Sequence, residues 1–150
     1  MRAGFIQFSP QFGKVDTNID KALAMLEKAD AELIVLPELF NTGYLFVSRD
    51  EALAMAEEIP AGKTIKALSS IARKKKIHIV AGIAESAGEN LYNSAVLISP
   101  KGYMASYRAG LFRSSFIGTA KRTSLSAPGA EPVISSEVWA KVSRPMTPGT

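Results

Sequence analysis

Glu32-Leu33-Ile34-Val35-Leu36-Pro37-Glu38-Leu39-Phe40-Asn41-Thr42-Gly43-Tyr44 joins a short apolar run to a turn, and the rest of the chain is organised around it. Leu33 to Leu36 form a short apolar run that reads as a buried strand. Pro37 ends it, because proline has no N–H to give to a sheet ladder, and Asn41-Thr42-Gly43 supplies turn chemistry. Glu38 then stands at the carboxyl edge of a strand, where α/β sheets commonly carry their sites. Leu36, Leu39 and Phe40 keep water from it. A carboxylate so placed suits a general base; it also fits a turn acid that accepts backbone hydrogen bonds.

Working outward, Arg2 to Phe8 reads as a strand. Asp16 is the expected N-cap of a helix whose inner face carries Ile19, Leu23 and Leu26, widened by Ala22, Met25 and Ala29. On the other side, Asp50 to Glu58 predicts a short helix. Lys63 to Lys76 predicts a longer one, with Ile65, Leu68, Ile71 and Ala72 facing in and a basic end that suits the helix dipole. Ile77 to Ala84 is a third strand. Tyr92 to Ser99 and Tyr103 to Arg108 are two more, joined by the turn Pro100-Lys101-Gly102. The order β-α-β-α-α-β-β-β predicts an α/β domain, its early strands parallel or mixed and its last pair antiparallel.

With 150 residues, 47% hydrophobic and 21% charged, the chain has the balance of one soluble globular domain, which excludes disorder as its whole character. No apolar run approaches the roughly 20 residues a bilayer needs, so no membrane span is expected. Met1 leads straight into strand-like sequence without a signal-peptide pattern, and the expected location is the cytoplasm. The net charge of +4 is uneven: residues 1–108 carry 13 basic against 12 acidic side chains, residues 109–150 carry 5 against 2. Lys74-Lys75-Lys76 lacks interleaved aromatics and sits in a nearly neutral region, so it reads as a solvated helix end and no nucleic-acid partner is expected. There is no cysteine, hence no disulfide, thiolate metal site or cysteine nucleophile in these residues.

After Arg108 the character changes. Most of residues 109–150 are Gly, Ala, Ser, Thr or Pro. Ser124 to Pro132 and Arg144 to Thr150 read as loop, and Val133 to Val142 makes at most one weak strand. The expected division is therefore a domain over residues 1–108 and an irregular tail over 109–150.

A set of short motifs follows the same order along the chain: Gly4-Phe5-Ile6-Gln7-Phe8 with Asn18; Leu36-Pro37-Glu38-Leu39-Phe40 with Gly43-Tyr44; Val80-Ala81-Gly82; Leu91-Tyr92-Asn93-Ser94-Ala95-Val96; and Gly102-Tyr103 through Ser106-Tyr107-Arg108. In order and spacing this set resembles the nitrilase, or carbon-nitrogen hydrolase, superfamily over all of residues 1–108. The resemblance implies the N-terminal half of an α-β-β-α sandwich, homodimers, small amide or nitrile substrates, and no metal or organic cofactor. It also implies a site of Glu, Lys and Cys. The Glu accepts the thiol proton, the Cys attacks the amide or nitrile carbon, and the Lys stabilises the negative charge that develops.

Carried over, the Glu falls on Glu38. The Lys should follow Tyr107-Arg108 directly, but Ala109-Gly110-Leu111-Phe112 stands there, and no Cys occurs. Ser114, Ser115, Ser124 and Ser126 do not replace it, because the sole histidine, His78, reads as a packing residue in an apolar strand. Tyr44, just beyond Glu38, is the candidate to line a substrate pocket, with simple packing as its alternative. Asn93 reads as a residue bonding its local backbone. Two accounts follow. One is a carbon-nitrogen hydrolase whose tail was replaced by a frame shift near codon 109 or by divergence, leaving an inactive chain. The other is a non-catalytic pseudoenzyme whose sheet is completed by a partner or a second copy.

Overall fold

Alternation along three long segments builds the sheet, and two amphipathic helices cover one of its faces. The structure, a computed structural model, describes residues 1–111. Its elements are β1 (Ala3–Phe5), α1 (Val15–Lys28), β2 (Leu33–Val35), α2 (Arg49–Met55), α3 (Lys63–Lys75), β3 (His78–Ala87), β4 (Asn90–Ser99) and β5 (Gly102–Leu111). They form one mixed sheet in the order β1-β2-β3-β4-β5. The first three strands are parallel, and β3, β4 and β5 are joined antiparallel. The strand β5 runs through Ala109 to Leu111, past the boundary expected at Arg108. The rest of the expected irregular tail lies outside the described residues.

The inner face follows from period two. Ile34, Ile79, Ala81, Ile83, Val96 and Ile98 point to one side and are buried with Ile19, Ala22 and Leu26 of α1 and Ile65, Leu68 and Ile71 of α3. The helix α3 lies against α1 and against β3, β4 and β5. Leu68 and Leu26 are fully buried, each removing apolar area worth about 1.5–3 kcal/mol.

Helix ends depart from expectation. Lys14, not Asp16, occupies the N-cap of α1 and makes no side-chain cap bond. Asp16 sits in the first turn, where a carboxylate still meets the positive end of the dipole, and it pairs with Lys63 at 2.6 Å. The basic end of α3 is not merely solvated: Lys74 pairs with Glu27 at 2.6 Å and Lys75 Nζ donates to the Glu27 carbonyl at 2.5 Å, tying α3 to α1. Among the described residues no helix is long and apolar enough to cross a membrane.

The outer face of the sheet is apolar and largely open. Phe5, Val35, Val80, Leu97 and Ala105 align across all five strands. Phe5 is 77% exposed and Tyr107 72%. Val80, Ala95, Leu97, Ala105 and Tyr107 line a shallow groove there. His78 corrects its expected packing role. It is the first residue of β3, aligned with Leu33, and it is exposed on the outer face of the sheet.

Candidate functional site

The chain leaving β2 does not turn away from the sheet. Leu36 N–H donates to the Val80 carbonyl at 2.8 Å and Phe40 N–H to the Gly82 carbonyl at 3.2 Å, so the segment between them is laid along β3. Leu39 adopts the left-handed region at φ 45°, uncommon for a residue with a side chain. Its carbonyl takes the N–H groups of Thr42 (3.2 Å) and Gly43 (2.8 Å), which closes the turn. Burial holds the conformation: Phe40 enters the helix-side core, and Leu39 packs with Phe46, Ala52, Ala84 and Leu91.

Gly82 lets this happen. A Cβ at position 82 would stand 2.6 Å from Glu38 Cα and 3.0 Å from Leu39 N, so no side chain fits beneath the turn. Passing over β3 at this glycine, Glu38 reaches β4, where Asn93 Nδ2 donates to Glu38 Oε1. This corrects the reading of Asn93 as a local backbone partner. Asn93 aligns with Ala84 on β3 and Gly110 on β5.

The pairing of β4 with β5 slips at this point. Asn93 faces Gly110 while Ser94 faces Arg108, leaving Ala109 as the extra residue of a β-bulge. Position 109 is where the family resemblance puts the Lys, and it is exposed beside the residue that holds Glu38. On the other face of the sheet, Arg108 Nη2 meets Glu85 Oε1 at 2.6 Å and Arg108 Nε reaches both Glu85 oxygens at 3.1 Å. Ser94 Oγ donates to Glu85 Oε2 at 2.5 Å, and the guanidinium lies 4.1 Å from the Tyr92 ring centre. Glu85 is 3% exposed. The Arg108 hydrogen bond holds its carboxyl below the ordinary value of 4.5 against the opposing effect of burial, and Ser94 adds to the lowering.

Tyr44 follows the Gly43 turn and is 47% exposed. Burial around its phenol raises its pKa, and the negative charge of Glu38 raises it further, so Tyr44 sits within the field of that carboxylate. Behind the turn lies a polar lattice that single residues do not announce. Asn41 Nδ2 donates to Thr64 Oγ1 at 3.0 Å and Glu57 Oε1 at 3.4 Å, while Asn18 Nδ2 donates to the Asn41 carbonyl at 2.9 Å and the Gln11 carbonyl at 2.7 Å. Thr64 gives its N–H to Glu57 Oε2 at 2.8 Å and its hydroxyl to Glu57 Oε1. Of these residues the motif set contained Asn18 alone. A buried Asn beside a turn gives little sequence signal until its partners are known.

With this geometry in hand, comparison with known proteins is decisive. The family model described as carbon-nitrogen hydrolase matches residues 2–144. The chain belongs to the carbon-nitrogen hydrolase family. Among its relatives in that family is a nitrilase of Pyrococcus abyssi, 42% identical over 111 residues, covering 72% of this chain and 42% of the relative. The protein N-terminal amidase of Saccharomyces cerevisiae is 31% identical over 105 residues, covering 65% of this chain and 23% of the relative. A crystal structure of an N-terminal amidase superposes with a TM-score of 0.64 at 31% identity, over 69% of this chain and 26% of that one. The nitrilase-superfamily fold is thereby established, and the chain spans less than half the length of these carbon-nitrogen hydrolase relatives.

Proposed function

We propose that residues 1–108 carry the glutamate-bearing part of a carbon-nitrogen hydrolase site, in which Glu38 is the general base and Tyr44 lines the pocket for a small amide or nitrile. The observation that supports this most is the route of Glu38 over Gly82, which brings its carboxylate to Asn93 beside position 109. Relatives named nitrilase, N-terminal amidase and 2-oxoglutaramate amidase agree with amide or nitrile chemistry. A small linear amide is the default substrate.

In such a site Glu38 takes the proton of a cysteine thiol as sulfur bonds to the amide carbon. The C–N bond then breaks with that proton passing to the departing amine, and water releases the acid from the thioester. The 150 residues contain no cysteine, and Ala109 stands where a lysine would steady the oxyanion. We therefore propose that this chain alone is catalytically inactive and that the protein works in the cytoplasm. Ammonia release from small linear amides and nitriles by the purified chain tests this: none above buffer background is expected, and sustained turnover overturns the inactive reading.

The open outer face favours a second reading. With Phe5 and Tyr107 exposed on an apolar sheet face, the chain is a non-catalytic module whose sheet a partner or second copy completes. A soluble oligomer with a cooperative melting transition supports it, and a monomer without one opposes it.

A further inference from the structure

We infer that Asn93 is a positioning residue for Glu38: it holds one carboxylate oxygen and so fixes the other as the atom presented to a proton donor. This rests on the reading of Glu38 as the base. Asn93 Nδ2 donates to Glu38 Oε1, and among the described residues no other hydrogen bond reaches that carboxylate. An amide NH2 group donates and does not accept. The oxygen facing Asn93 therefore stays an acceptor, and a proton arriving from a thiol goes to Oε2.

The two residues differ in how firmly they are held. Asn93 lies on β4, paired through its backbone neighbourhood to Ala84 on one side and Gly110 on the other. Glu38 lies on a turn, and its long side chain gives up rotamer freedom when ordered. The strand thus supplies the fixed reference and the turn supplies the movable group. The turn does not need Asn93 to stay in place, because the Leu36 and Phe40 N–H bonds to β3 and the burial of Leu39 and Phe40 already fasten it. Orientation of the carboxylate and stability of the fold are therefore separable.

The test uses the full 150-residue chain labelled with 15N. Charge-assisted hydrogen bonds are roughly twice as strong as neutral ones. One Asn93 side-chain proton is therefore expected downfield of the other amides, with its displacement about halved by Glu38→Gln and abolished by Glu38→Ala. Carbodiimide-driven amidation of Glu38, followed by peptide mass spectrometry, is expected to run several-fold faster in Asn93→Leu, at a melting temperature within a few degrees of the unaltered chain. An Asn93 amide indifferent to both Glu38 variants overturns the inference whatever Glu38 does, and so does an unchanged amidation rate in Asn93→Leu. If Asn93→Leu fails to fold, the Glu38 variants decide alone, since both keep Asn93. Failure of the base reading looks different: the Asn93 signature persists, while hydrolysis by an active chimera carrying these residues survives Glu38→Gln.

Discussion

Gly82 sets the path of the turn that carries Glu38, and Glu85 shows how a buried charge is held on the opposite face. In Gly82→Ala the new methyl meets main chain rather than a flexible side chain. The turn has to lift, at a cost of about 1–3 kcal/mol in denaturant unfolding, and the Asn93 amide signal moves toward that of a free amide. Glu85, held below 4.5 chiefly by Arg108, contributes stability that is fully present above 4.5 and is lost as pH falls through its lower folded value. Arg108→Met leaves that buried carboxylate short of partners and lowers stability at neutral pH. The gap from the unaltered chain narrows as pH falls below 4.5, which urea titrations across the acid range measure. Glu38 was legible because Pro37 breaks an apolar run just before it. Its partner was not: Asn93 lies 55 residues away, and the contact depends on the missing Cβ of Gly82.

At the scale of elements, amphipathic spacing carried the reading, and the order of strands and helices came out as expected. Leu68 sits where α3 meets the sheet and is fully buried. Leu68→Ala is therefore expected to cost about 2–5 kcal/mol, read by denaturant unfolding. Ser48 caps α2 by accepting the Glu51 N–H at 3.1 Å, and Ser48→Ala costs about 1 kcal/mol in the same assay. Ends were less legible because local residues do not decide them. The third strand was expected to stop at Ala84 and the fourth to start at Tyr92, yet β3 runs to Ala87 and β4 begins at Asn90, around a tight turn at Gly88. The buried Glu85 is satisfied there by Ser94 and Arg108. Only the register of three strands reveals that compensation. The bulge at Ala109 was hidden for the same reason.

For the whole molecule, the layer of helices and the layer of sheet are those of the family's fold, while the outer face shows Phe5, Val35 and Tyr107 to solvent. A face of this kind is expected to bind a hydrophobic dye such as ANS, and Tyr107→Asp is expected to reduce that fluorescence; a chain that does not brighten the dye contradicts an open face. The family match reaches residue 144, well past the last of the motifs at Arg108.

Glu38 is proposed to belong to a hydrolase site which these residues only partly supply. The most direct test is a chimera joining residues 1–108 to the segment of the Pyrococcus abyssi nitrilase that follows its matching part, assayed for ammonia release with and without Glu38→Gln. An active chimera that loses roughly 10²–10⁴-fold in rate with Glu38→Gln is the expected result. A chimera that hydrolyses its substrate equally well with and without Glu38→Gln would contradict it.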